Sequence, residues 1–264
     1  MRGAPPDPLR NRAAISADAV PISRERDAAW PARAVWASPR SHFAEAFRDL
    51  ALRLRERLAS EEGTSILVTS GLPGEGKTLT ACNLALALAS FGTDESVALV
   101  DFDLRVPGVA NALGLRPAVG IESVLRGQLP LEAVASVTDS GVHAYPVAEA
   151  GEAAHEMLAR SELSDVLKRL ESRYRWVICD SPPLLLVPDA QLLAPHVGAC
   201  LAVVRAGRTP RAAFRELCGR LPHDRMVGFF LNDVRPPRHT SRHYKSAYYT
   251  SHAPRRAPEM EPEL

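Results

Sequence analysis

A doubly wound α/β fold, with helices on both faces of a mostly parallel sheet, is the architecture this sequence predicts. Three observations carry it. Strand-like runs are apolar at consecutive positions, as in Ile66-Leu67-Val68, Val97 to Val100 and Val177-Ile178-Cys179, the pattern of strands covered on both sides. Segments of helical length separate those runs, and strands alternating with helices imply parallel crossovers. Finally, a glycine-rich loop, Ser70 to Thr80, joins the first such strand to the helix after it.

Each element has its own justification in order along the chain. Residues 1–37 are rich in Pro, Ala and Arg without sustained periodicity, so they are expected to form a disordered leader that buries too little apolar surface to offset ordering entropy. From Ser41 onward, Phe43, Phe47, Leu50, Leu54 and Leu58 make one helical stripe, and Glu45, Arg48, Asp49, Arg53, Arg55 and Arg57 occupy the other faces. Strands are expected at 65–69, 96–101, 142–147, 176–180, 199–204 and 226–232, and helices at 77–90, 121–126, 161–172 and 210–221. Together these define one domain, residues 38–233. Beyond it, residues 234–264 turn polar and rich in Pro, Arg and His, which predicts a flexible tail.

Composition narrows the function classes. The 264 residues, 46% apolar, suffice for a single large core. A formal net charge of +1 lacks the basic footprint of a nucleic-acid binder, so no nucleic acid is expected as a partner. Cys82, Cys179, Cys200 and Cys218 show no metal or redox spacing and read as reduced residues in or near the core. No apolar run approaches the roughly 18 residues of a membrane span, which leads to the expectation of a cytoplasmic protein.

The glycine loop carries the chemistry. Gly71, four residues, then Gly76, Lys77 and Thr78 between a strand and a helix is the phosphate-binding loop pattern in its required setting, which makes the fold a P-loop NTPase type. Glycines let successive backbone N–H groups face an anion, and the helix start adds its positive dipole end. Gly71, Gly74, Glu75, Gly76, Lys77, Thr78 and Leu79 are accordingly expected to bind a nucleotide, ATP with Mg2+. Lys77 would reach the β and γ phosphates, and the Thr78 hydroxyl would ligate the metal.

Acidic residues at strand ends supply the rest of the site. Asp101 and Asp103 follow the run Val97 to Val100, and Asp180 ends Trp176 to Cys179, so all three fall at the carboxyl edge of the sheet, where doubly wound folds bind ligands. Asp180 is expected to hold the metal or its water. Asp101 or Asp103 would add a second metal contact or accept a hydroxyl proton. Taken singly, each aspartate also fits a cap or a turn.

At this point the residues resemble a known family, the bacterial tyrosine kinases of capsule and exopolysaccharide biosynthesis. TSGLPGEGKTLTACNLA (69–85) resembles its Walker A segment, VALVDFDLRVP (97–107) its second acidic motif, and WVICDSPPLLLVPDA (176–190) its Walker B segment. SPRSHFAEAFRDLALRL (38–54) is similar to the helix preceding the loop in that family. Partition and septum-placement ATPases carry a lysine near the loop start, where this chain has Leu72, a difference that favours the kinase branch. The resemblance implies that Lys77, Asp101, Asp103 and Asp180 form the catalytic set and that tyrosines accept the phosphoryl group. It also implies a homo-oligomer and a separate membrane-bound activator, the chain-length regulator of polysaccharide export, which would place the chain at the inner face of the membrane.

Two segments bear on that implication. Tyr244, Tyr248 and Tyr249 cluster in SRHYKSAYYTSH (241–252) and read either as phosphoacceptors or as a small docking patch. Glu45 and Arg48 match the start of the family's Glu-x-x-Arg-x-x-Arg contact motif, but Ala51 stands at its third position, and that face reads equally as solvated. A nucleotide-switched assembly ATPase and a regulatory subunit that binds ATP without turnover remain alternatives.

Overall fold

The computed structural model describes Ile22 and residues 30–59, 63–92, 95–151 and 153–234. Its elements in chain order are α1 (Ala34–Ala37), α2 (His42–Arg57), β1 (Thr64–Ser70), α3 (Lys77–Ala89), β2 (Val97–Asp101), α4 (Val109–Leu113) and α5 (Ile121–Leu125). There follow β3 (Ser136–Val137), β4 (Val142–Tyr145), α6 (Ala154–Leu158), α7 (Glu162–Glu171), β5 (Trp176–Asp180), α8 (Asp189–Leu193), β6 (Ala199–Arg205), α9 (Arg211–Arg220) and β7 (Met226–Asn232).

The seven strands form one sheet in the order β3-β4-β2-β5-β1-β6-β7. Every pairing is parallel except that of β3 with β4, so the predicted doubly wound, mostly parallel sheet is present. β3 escapes a sequence reading because two residues carry no periodicity. Alternate residues of the central strands feed two cores: Leu67, Val100, Val177 and Cys179 pack with α5, α6 and α7 on one face. Ile66, Val68, Leu99 and Ile178 pack with α2, α3 and α4 on the other. Cys82, Cys179 and Cys200 are buried free thiols, Cys218 is half-buried, and burial pushes the first two well up and Cys200 to about 11.

Folded structure begins upstream of the expected boundary at residue 38. The Val35 amide donates to Asn83 Oδ1 on α3 at 3.0 Å, and the fully buried Arg33 donates to the Ala112 carbonyl at 3.3 Å. Ile22 lies in the same core, its amide donating to Asp139 Oδ1 at 3.1 Å. Segments this short reveal no period, and tertiary hydrogen bonds fix them. At the other end the chain divides into two units, Met1–Asn232 and Asp233–Leu264. Tyr244, Tyr248 and Tyr249 lie outside the described residues.

On α2, Ser41 caps the helix by accepting the Ala44 amide at 3.1 Å. Ala44, Phe47, Ala51 and Leu54 form its buried face, with Phe47 stacked on Phe230 of β7 at a centroid distance of 5.0 Å. Ala51 therefore faces the core, whereas Glu45 and Arg48 pair with each other at 2.5 Å on the outer side. The third position of the expected contact motif is a packing position here.

Candidate active site

Strand order brings the chemistry together. β5 lies between β1 and β2, with Asp180 in register with both Val68 and Asp101. The loop after β1 and the acidic ends of β2 and β5 consequently share one edge of the sheet, at the point where crossovers leave in opposite directions. Parallel pairing creates this convergence from segments that end at Ser70, Asp101 and Asp180, far apart in the chain.

The phosphate loop has the backbone its sequence requires. Gly76 sits in the left-handed region, with φ 97° and ψ 26°, immediately before α3 begins at Lys77. A side chain there would be strained, and a Cβ would also approach Asn232 Nδ2 to 2.1 Å. Thr78 is crowded by the β2–α4 connection, where a Cβ on Gly108 would come within 2.8 Å of its Cγ2. Lys77 Nζ lies 3.2 Å from Asp103 Oδ2, so in this arrangement the loop lysine is held by the acidic segment. Glu75 turns inward: Oε2 accepts the Leu72 amide at 2.8 Å and Oε1 accepts the Thr209 hydroxyl. Its side chain braces the loop from within.

The three aspartates occupy different environments. Asp101 is buried, its Oδ2 accepting the Gly108 and Val109 amides at 2.9 and 3.0 Å and its Oδ1 the Asp103 amide at 3.1 Å. One lone pair of Oδ1 remains, so Asp101 is first a cap for the connection to α4. Asp103 Oδ1 accepts the Val106 amide at 3.0 Å while Oδ2 faces Lys77. Asp180 is fully buried, and neither oxygen has a hydrogen-bond partner of good geometry among the described residues. Burial pushes it up to about 7, opposed by the Lys77 charge and the neighbouring Thr78 hydroxyl and aided by the Asp103 charge. Asp101 is also raised, by burial first and then by Asp180.

An orphaned buried carboxylate is costly unless something outside the chain completes it. Asp180 beside Thr78 fits a hard cation. Among the described residues no group of three His, Cys, Asp or Glu side chains could hold a metal unaided.

Several contributors give weak sequence signals. Arg105 Nε donates to the buried Asp189 at 2.7 Å, with His155 Nδ1 3.4 Å from the same carboxylate, tying the segment after β2 to α8. Asn232 Nδ2 donates to the Glu75 carbonyl at 2.9 Å and Arg205 Nη1 to the Gly74 carbonyl at 3.2 Å. Only its place at a strand end marks Asn232 in the sequence. Tyr145 and Tyr174 share a 2.8 Å hydrogen bond in the core, and burial raises both phenols, so neither is placed to accept a phosphoryl group.

Comparison with known proteins agrees with this geometry. The family model for the CobQ/CobB/MinD/ParA nucleotide binding domain matches residues 66–255. Succinoglycan biosynthesis transport protein ExoP of Rhizobium meliloti (strain 1021) is 33% identical over 208 residues, 76% of this chain and 26% of that protein. Tyrosine-protein kinase YwqD of Bacillus subtilis (strain 168) is 29% identical over 214 residues, 80% of this chain and 88% of that one. The chain thus spans about a quarter of the length of ExoP and nearly all of YwqD. Among solved structures, the kinase domain of Escherichia coli tyrosine kinase ETK superposes with a TM-score of 0.74 at 26% identity, covering 88% of this chain and 94% of that domain. With the phosphate loop and acidic strand ends lying inside the matched region, the chain belongs to the CobQ/CobB/MinD/ParA nucleotide binding domain family, and within it resembles proteins named as tyrosine-protein kinases.

Proposed function

We propose that this chain is an ATP-dependent protein-tyrosine kinase that regulates capsule or exopolysaccharide synthesis or export and phosphorylates tyrosines of its own tail, Tyr244, Tyr248 and Tyr249. The observation that carries the reading is Asp180, a buried carboxylate with no hydrogen-bond partner of good geometry among the described residues, set beside the lysine and threonine of a phosphate loop. The names of the relatives, tyrosine-protein kinase YwqD and succinoglycan biosynthesis transport protein ExoP, supply the acceptor and the pathway class.

Loop amides and the start of α3 hold the phosphates, and Lys77 exchanges Asp103 for the β and γ phosphate oxygens. Thr78 and Asp180 would hold Mg2+, whose chemistry there would be to neutralise charge on the transferring and leaving groups. Asp101 fixes the β2–α4 connection against Thr78, and Asp103 is the carboxylate nearest Lys77 to receive the phenolic proton. In the transfer the tyrosine oxygen bonds to the γ phosphorus, the bond to the β–γ bridging oxygen breaks, and ADP leaves. A membrane-bound chain-length regulator of polysaccharide export would serve as activator, with the kinase a homo-oligomer at the inner face of the membrane. No described helix is long and apolar enough to cross a membrane.

The test is incubation of the purified protein with MgATP and mapping of phosphotyrosine by mass spectrometry, beside Lys77→Met. Modification of one or more tail tyrosines is expected in the parent, with at least a ~100-fold loss in the variant. A parent left unmodified even with the activator's cytoplasmic segment present refutes the kinase reading. The family also contains MinD and ParA, and ATP-dependent association without phosphotyrosine would establish the assembly-ATPase alternative instead.

A further inference from the structure

The phosphate loop is gripped from behind by residues of β6, β7 and the turn between β6 and α9. Arg205, the last residue of β6, donates to the Gly74 carbonyl at 3.2 Å, and Asn232, the last residue of β7, donates to the Glu75 carbonyl at 2.9 Å. The Glu75 side chain, 4% exposed, spans the inside of the loop from the Leu72 amide to the Thr209 hydroxyl. Thr209 is in turn fixed by accepting the Arg205 amide at 2.9 Å. Two strands that carry none of the acidic site residues therefore determine how the loop lies.

Peptide geometry gives this grip a direction. In a trans peptide unit the C=O and N–H point opposite ways, and the chain has no cis peptide bond among its described residues. Drawing the Gly74 carbonyl toward Arg205 aims the Glu75 N–H away from it, and drawing the Glu75 carbonyl toward Asn232 does the same for the Gly76 N–H. Those two amides are among the donors a phosphate loop presents to its anion. Left-handed glycines on either side, Gly74 at φ 74° and Gly76 at φ 97°, can rotate with little hindrance, so the loop needs an external restraint to keep its donors converged. Preorganised donors bind without the ordering cost that mobile ones incur.

We propose that Asn232, Arg205 and the Glu75–Thr209 pair form a clamp of positioning residues that aims the loop amides of Glu75 and Gly76 at the nucleotide phosphates, setting nucleotide affinity without touching the nucleotide through their side chains. This rests on the nucleotide-binding part of the proposed function and is independent of the acceptor. The clamp acts on both ATP and ADP, because both place phosphates in the loop.

Titration of the full chain with a fluorescent ATP analogue and with ADP, both with Mg2+, tests it, together with amide hydrogen exchange of the 71–79 segment in the nucleotide-free protein. Asn232→Ala is expected to weaken both nucleotides ~3- to 10-fold, the effect of one lost hydrogen bond, and Glu75→Ala, which removes two, at least as much. Faster exchange confined to the loop should accompany the loss. Glu75→Gln, which can still accept from Leu72 and donate to Thr209, is expected to stay within ~2-fold of the parent. Unchanged affinity and exchange in both alanine variants overturn the proposal, as does a Glu75→Gln loss equal to that of Glu75→Ala, which would assign the effect to charge. Should Glu75→Ala fail to fold, Thr209→Val removes the outer bond alone and is held to the same criteria. Nucleotide bound tightly by a parent that forms no phosphotyrosine would count against the kinase reading while leaving the clamp in place.

Discussion

Asp180 concentrates the electrostatics of the site in one residue. Its carboxyl is pushed up to about 7 by burial against the pull of Lys77, whereas an unfolded chain would ionise it near ~4. Between those values the folded state holds a proton that the unfolded state has lost, so this group makes the nucleotide-free, metal-free protein less stable as pH rises from ~4 to ~7. Asp180→Asn should remove that contribution: with chelator present, its melting temperature should exceed the parent's at pH 8, with the gap narrowing toward pH 4. A parent whose stability rose steadily from pH 4 to pH 8, with the variant parallel to it, would contradict the assignment. Adding MgATP should reverse the ranking, because only the parent gains the cation. Lys77 and Asp180 were legible in the sequence because their motifs are local. The division of labour among the aspartates was not, since amide donors from Gly108 and Val109 are what turn Asp101 into a cap.

At the level of elements, the segment before α2 is the clearest departure from expectation. Pro, Ala and Arg without a period read as an unstructured leader, yet α1 is held by Asn83 of α3, and Arg33 is sealed beneath the 109–113 helix. Asn83 also donates to the Leu79 carbonyl at 2.9 Å, so one buried amide serves two helices. Asn83→Leu should therefore lower stability by ~1 to 3 kcal/mol through the unpaired Val35 amide, measured by urea unfolding. Stability equal to the parent's would mean that the Asn83–Val35 hydrogen bond contributes nothing net to the fold. The stripe on α2 was readable from spacing alone. Which of its charged residues meet something was not: Arg55 reaches Glu95 across the sheet end at 2.6 Å, whereas Arg53 pairs within the helix with Asp49 at 2.8 Å.

For the whole molecule, the question is whether copies assemble. Ala51 packs into the core and Glu45 is paired with Arg48, so the α2 surface carries no second arginine at the expected contact position. Glu45→Ala is accordingly expected to leave the size of the protein unchanged, by light scattering with and without MgATP, even where ATP itself promotes association. A shift to smaller species in that variant would give the Glu45–Arg48 pair a role between subunits. By itself the sequence determined the strand, loop and helix that make the phosphate site and the carboxylates that follow two other strands. Those signals are local, a fixed spacing of glycines and consecutive apolar residues ending in Asp. Tertiary structure alone decided that β5 inserts between β1 and β2, that Asp180 has no hydrogen-bond partner of good geometry among the described residues while Asp101 is capped, and that Arg205, Thr209 and Asn232 reach back to the loop. Parallel pairing joins residues far apart in the chain, and no local periodicity records which of them will meet.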